Sequence, residues 1–227
     1  MVSASKGRTN SKSGSPITNT PGQGKSSHQP PSHFPTTVQF LTAPLPSRHL
    51  SAAHRRLYCS PQVPIPNAPP QLSIKRIIDA THPAKGQFGL FANAKIPPRT
   101  WIRDYLGVVH PEQDVDPTSD YDLCLARIPI VEDASSETTA SSLVRYETIG
   151  IDATKAGNEA RFINDYRGVL DRPNAVFESR ECKAADGTTM QGVRMSVWSG
   201  PNGVEKGSEI CVSYGKGFWD GRKSEVT

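Results

Sequence analysis

The chain of 227 residues carries 26 Lys or Arg against 22 Asp or Glu, yet its net charge of +4 is unevenly spread. No acid precedes Asp79 and seven basic residues fall within 1–70, so a +7 leading segment joins a body of charge −3. The basic balance therefore describes the leading segment and says nothing about a basic catalytic surface, and no apolar run approaches the ~18 residues of a membrane-spanning helix, which gives no membrane partner.

Residues 1–70 also hold twelve of the twenty prolines, with many Ser, Thr and Gln residues. Such a composition buries too little apolar surface to offset the entropy of ordering. It predicts a disordered basic Pro/Ser-rich tail over 1–70 and one folded domain over 71–227, long enough for a real core. The start "MVSASKGRTNSKSGS" lacks the apolar region of a secretory signal. A nuclear or cytoplasmic location follows, with a mitochondrial one left open by the acid-free N-terminus. Contact of the basic tail with nucleic acid is a further reading, beside the plainer one of a solvated tail. Cys59, Cys124, Cys182 and Cys211 form no C-x-x-C pair, which predicts reduced thiols and no metal.

From Gln71 onward the pattern is of short β runs: "LSIKRII", "GLFANAKI", "TWIRDYLGVV", "YDLCLARIPIV", "TIGIDAT", "NAVFESRECKA", "GVRMSVWS" and "EICVSY". Pro97–Pro98 and the polar stretches 110–120 and 132–142 read as loops. Asp186-Gly187 signals a hairpin turn. Only 154–164 suits a helical turn or two. The fold class is mainly β, from several small sheets.

Histidine is scarce in the body, at His82 and His110 only, so neither a Ser/His/Asp triad nor a His-based metal centre is signalled. Tyrosines recur in strand contexts, at Tyr105, Tyr121, Tyr146, Tyr166 and Tyr214. Five blocks follow in order: "KGQFGLFA" (Lys85–Ala92), "KIPPRTWIRDYLG" (Lys95–Gly107), "SDYDL" (Ser119–Leu123), "IDATKAGNEARFIN" (Ile151–Asn164) with "RPNAVF" after it, and "KGSEICVSYGKGFW" (Lys206–Trp219). Together they resemble the SET-domain family of S-adenosylmethionine-dependent protein-lysine methyltransferases, over about 75–220.

The resemblance implies a SET-domain fold of several small β-sheets with a C-terminal pseudoknot. A protein substrate presenting a lysine, histone or non-histone, is the implied partner, and S-adenosyl-L-methionine the implied cofactor. Tyr214 matches the family's catalytic tyrosine, and Tyr105 a tyrosine of the lysine channel. Gln87, Phe88, Gly89, Tyr121, Arg161, Asn164, Asp165 and Trp219 fall at cofactor-binding positions, and Val212 and Phe218 at the substrate channel. Val212 stands where the family carries Phe or Tyr, which implies that higher methylation states fit. The family's Asn-His-Ser-Cys reads here Asn164-Asp165-Tyr166-Arg167, Gln87 stands where its turn has Gly, and the cysteines of a zinc cluster after the domain are missing. An alternative reading is a non-catalytic SET-fold module that binds a lysine-bearing partner.

Overall fold

The computed structural model describes residues 29–61, 63–130, 145–183 and 187–215. Two short strands, β1 (Gln39–Phe40) and β2 (Leu45–Pro46), precede the helix α1 (Ala52–Tyr58). A run of strands follows: β3 (Leu72–Arg76), β4 (Phe88–Ala92), β5 (Trp101–Asp104), β6 (Val108–Pro111), β7 (Asp122–Ile130) and β8 (Arg145–Asp152). The chain closes with β9 (Ala156–Gly157), β10 (Asn164–Asp165), β11 (Ala175–Lys183), β12 (Met190–Ser199) and β13 (Cys211–Val212). They form one four-stranded sheet (β2-β6-β8-β7), one three-stranded sheet (β11-β12-β5) and the pairs β3-β4, β1-β9 and β10-β13. The mainly β, many-sheeted reading therefore holds.

Each β run of the sequence appears as a strand, but "TWIRDYLGVV" is divided between two sheets. Its first half pairs with β12 and its second with β8. Gly107 makes the crossing: a Cβ there would lie 2.5 Å from the Asp152 carbonyl oxygen, so only glycine lets the two backbones approach so closely. Between the sheets, Leu90, Ile102, Val109, Ile149, Val197 and Ile210 are fully buried. The helical turn expected within 154–164 is a 3-10 turn at Glu159–Phe162. The Asp186 turn and the loop 132–142 lie outside the described residues.

The structure departs from the composition-based tail. Residues 1–28 lie outside the described residues, but 39–58 are built into the fold. β1 pairs with β9, and β2 adds an edge to β6. Proline permits this because only alternate residues of an edge strand bond inward: Leu45 and Ser47 donate to Gly107 and Val109, and the missing N–H of Pro46 falls between them. Ser51 caps α1, its hydroxyl accepting from the His54 amide at 3.1 Å. The buried Arg194 of β12 then donates to the carbonyls of Tyr58 at 2.8 Å and of Ser60. Chain composition misses such anchoring because the donors sit far away in sequence.

The C-terminal strand is gripped on two sides. β13 runs parallel to β10 on one side, extended by the Tyr166 amide bonding to the Val212 carbonyl. On the other, Asn174 bonds to Cys211 and Glu209. The chain from 164 to 174 thus wraps the strand, forming the pseudoknot, and threading of this kind is rare among folds.

Arg194→Met should strip the Tyr58 and Ser60 carbonyls of their donor and cost about 2–4 kcal/mol. The expected readout is a melting temperature lower by several degrees, with faster protease cleavage between residues 47 and 63.

Candidate functional site

Tyr214 follows β13 and is held at both ends. Its hydroxyl donates to the Ile163 carbonyl at 2.8 Å, and its amide donates to Asp165 Oδ2 at 2.8 Å. Tyr105 follows β5, is buried, and donates its hydroxyl to the Tyr121 carbonyl at 2.7 Å. Burial raises both phenols above the ordinary tyrosine value, and the charge of Asp165 adds to the effect at Tyr214. Both therefore remain neutral hydroxyls well beyond neutral pH.

Two cavities flank these tyrosines. The first, about 590 Å³, is bordered by Gln87, Phe88, Asn164 and Asp165. The second, about 480 Å³, is bordered by Tyr105, Leu123, Ile163, Phe177 and Met195. Asp120, Tyr121, Arg161 and Tyr214 belong to the walls of both. Arg161 is fixed in this partition by donating Nε to the Ala153 carbonyl at 2.9 Å and by lying 4.1 Å over the Tyr121 ring. Phe162 and Ile163 beside it are buried. The motif's apolar pair packs into the core while also backing the cavities, Phe162 at the first and Ile163 at the second.

Of the residues expected at a cofactor site, Gln87, Phe88, Tyr121, Arg161, Asn164 and Asp165 border the first cavity. Gly89 lies behind that wall, and a Cβ there would lie 2.5 Å from Glu209 Oε1. Tyr105 and Tyr214 border the second cavity. Val212 does not line either; it is buried in β13, opposite Asp165 in the β10–β13 ladder. Ile163, Phe177 and Met195 border the second cavity. Phe218 and Trp219 lie outside the described residues.

The residue at 87 is accommodated because the left-handed position of this turn is its neighbour. Gly86 has φ +85°, and Gln87 is not among the positive-φ residues. The turn closes through Gly86 donating to Ile77 at 2.9 Å and Ile77 donating to Gln87 at 2.8 Å. Pro35, from the segment read as tail, also borders the first cavity, and its neighbour Phe34 packs edge-on against Phe162 at 5.8 Å.

Sequence reasoning missed His82 and Glu209. Glu209 is a buried acid whose Oε2 lies 3.0 Å from His82 Nε2. The Ala84 amide donates to His82 Nδ1, so Nε2 carries the proton and donates to the carboxylate. Glu209 Oε1 accepts from Asn164 Nδ2 at 2.7 Å, and the same amide group reaches the Phe88 carbonyl at 3.2 Å. The signal was present in "KGSEICVSYG", where one acid stands directly before the apolar run Ile210–Val212. Among the described residues no group of three or more His, Cys, Asp or Glu is placed to hold a metal, and no helix is long and apolar enough to cross a membrane.

The SET-domain family profile matches residues 87–215, more than half of the chain. No curated protein matches. Among solved structures, the chain is similar to apo ctPRC2 in an autoinhibited state at 17% identity and a TM-score of 0.44, covering 70% of this chain and 17% of that one. It is also similar to KRYPTONITE in complex with mCHH DNA, an H3(1-15) peptide and SAH, at 19% identity and a TM-score of 0.41, covering 64% and 24%. It therefore spans under a quarter of the length of either chain.

Glu209→Gln replaces one accepting oxygen by an NH2 group that must face either Asn164 Nδ2 or His82 Nε2. Two donors then oppose each other in a buried site, which should cost about 1–3 kcal/mol. Thermal unfolding of the variant checks this, and Gly89→Ala should shift the melt in the same direction by displacing the same carboxylate.

Proposed function

The chain belongs to the SET-domain family, and we propose that it is an S-adenosylmethionine-dependent protein-lysine N-methyltransferase. The observation that carries the reading is the pair of cavities sharing the walls Tyr121, Arg161 and Tyr214. Such a partition suits two substrates that enter from separate sides and react across it.

The donor set of the first cavity fits the cofactor. It combines the aromatic faces of Phe88 and Tyr121, the Arg161 guanidinium, the Asn164 amide and the carboxylate of Asp120. S-adenosylmethionine carries a purine, a carboxylate, an ammonium and a sulfonium, and each finds a complementary group there. When bound, it supplies an electrophilic methyl group on a cationic sulfur.

The remaining chemistry falls to the chain. Tyr105, Ile163, Phe177, Met195 and Tyr214 give the second cavity an apolar side with two hydroxyl oxygens, beside the charged Asp120, Asp122 and Arg161. A lysine entering it loses water, which favours its neutral form. With the donor held among Phe88, Tyr121, Arg161 and Asn164, the neutral amine would accept its methyl group, the new C–N bond forming as the C–S bond breaks with its electron pair left on sulfur. The methylated ammonium afterwards returns a proton to solvent. Confinement by rigid rings holds nucleophile and methyl in line, a contribution that a shift of about 1 Å would reduce on the order of 100-fold.

Calorimetry with S-adenosylmethionine and a labelled-methyl assay on lysine peptide arrays test the proposal, and absence of binding heat would sink it. Tyr214→Phe should lower methyl transfer by about 100-fold or more while leaving cofactor affinity within about threefold. Because free lysine has a pKa of ~10.4 and both tyrosines stay neutral, kcat/KM should rise steadily from pH 7 to about 9.5. A flat profile would mean that amine deprotonation does not govern the step.

A further inference from the structure

We propose that Asp165, braced by Arg167, is the positioning residue that sets where the Tyr214 hydroxyl lies; the inference rests on the methyl-transfer reading. Asp165 ends β10, directly opposite Val212 in the parallel ladder with β13. Its side chain is buried, only 6% exposed. One oxygen accepts from the Tyr214 amide at 2.8 Å, and the other from the Arg167 amide at 2.9 Å. The Arg167 guanidinium contacts both oxygens, at 3.2 and 3.0 Å.

The hydroxyl of Tyr214 meanwhile rests on the Ile163 carbonyl. Both ends of the tyrosine are therefore set by the three consecutive residues 163–165. With the amide pinned, side-chain rotation alone places the oxygen, and the bond to Ile163 selects the rotamer. Loss of the pin at the backbone frees the chain just before the residues that follow β13.

The chemistry of the carboxylate explains the unusual "NDYR". Two backbone amides, of Tyr214 and Arg167, must be satisfied by one side chain in a buried place. A neutral imidazole has a single accepting nitrogen, whereas a carboxylate has about four lone-pair sites. Asp at 165 meets both amides, and Arg at 167 offsets the charge that burial would otherwise penalise. The two substitutions thus form one device, with the arginine 42% exposed and the acid within. The Asp165 charge is also the second cause of the raised Tyr214 value, after burial.

Asp165 borders the first cavity as well, so direct contact with the cofactor is the competing role, and the experiment separates the two. The full chain is labelled with 13Cζ-tyrosine, and the Tyr214 resonance is assigned by its loss in Tyr214→Phe. Asp165→Asn should move or broaden that resonance and lower its titration midpoint. It should also reduce kcat by about 30-fold or more with cofactor affinity within about threefold. In the double variant Asp165→Asn, Tyr214→Phe, kcat should match Tyr214→Phe alone, because the hydroxyl being positioned is gone.

A Tyr214 resonance unchanged by Asp165→Asn overturns the proposal whether or not the protein methylates anything. So does a loss confined to cofactor affinity, which assigns Asp165 to direct contact. If Asp165→Asn does not fold, Arg167→Met keeps the carboxylate but removes its brace. It should shift the same resonance in the same direction, and no shift overturns the proposal. Failure of the wild type to transfer methyl groups would overturn the methyltransferase reading, while the resonance still decides the placement of Tyr214.

Discussion

Asn174 holds the C-terminal strand more firmly than any single neighbour in the ladder. Its amide donates to the Cys211 carbonyl at 3.1 Å, its Nδ2 to the Glu209 carbonyl at 2.8 Å, and its Oδ1 accepts from the Cys211 amide at 2.8 Å. The strand it grips is two residues long and fully buried, so each of these groups would otherwise be an unsatisfied buried dipole costing about 1–3 kcal/mol. With Cys211–Val212 fixed between Asn174 and β10, Glu209 reaches Asn164 on one side of the strand. Tyr214 then emerges beside Ile163. Both cavities inherit their shared wall from that one threaded segment.

How far the sequence foretold this depends on the range of the interaction. The β runs were legible because side-chain alternation and turn residues act over a few positions. Arg161, Asn164, Tyr105, Tyr121 and Tyr214 were legible through motifs, and the fold brings all five to the two cavities. The pairing of His82 with Glu209 spans 127 residues and leaves no local periodicity to read. The segment 39–58 was misjudged for a related reason. Its prolines and lack of acids describe a poor independent folder, but its order comes from outside, from the β6 and β9 edges and from the buried Arg194. Val212 falls at the channel by its match to the family motif, yet here it is buried in the core cluster and lines neither cavity.

The stretch "RDYLG" is held by hydrogen bonds on both sides of Tyr105. Asp104 accepts from Trp101 Nε1, Ser196 Oγ and the Arg180 guanidinium, at 3.0, 2.6 and 2.9–3.0 Å. Its carbonyl takes Asn158 Nδ2, while Asn158 Oδ1 receives the Leu106 amide. The Tyr105 amide between them bonds to Met195 at 2.7 Å. A buried ion pair such as Arg180–Asp104 contributes little net stability over an apolar pair. Together with the Ser196, Asn158 and Met195 contacts, it ties both flanks of Tyr105 to β11, β12 and the start of the 3-10 turn, beside the second cavity.

That rigidity bears on how the proposed transfer selects a direction. A tyrosine hydroxyl has one proton to donate, and in both Tyr105 and Tyr214 it is committed to a backbone carbonyl. Toward the second cavity each phenol therefore offers lone pairs and no donor. The raised titration of both hydroxyls keeps this arrangement in place at neutral pH, because ionisation would add a buried charge and break the bond to the carbonyl, at Tyr214 beside the charge of Asp165. A neutral lysine amine has two N–H donors and one lone pair. Two acceptors that take the two donors leave the lone pair without a partner on those walls. In the proposed transfer it is left to face the wall of Tyr121 and Arg161 that the two cavities share.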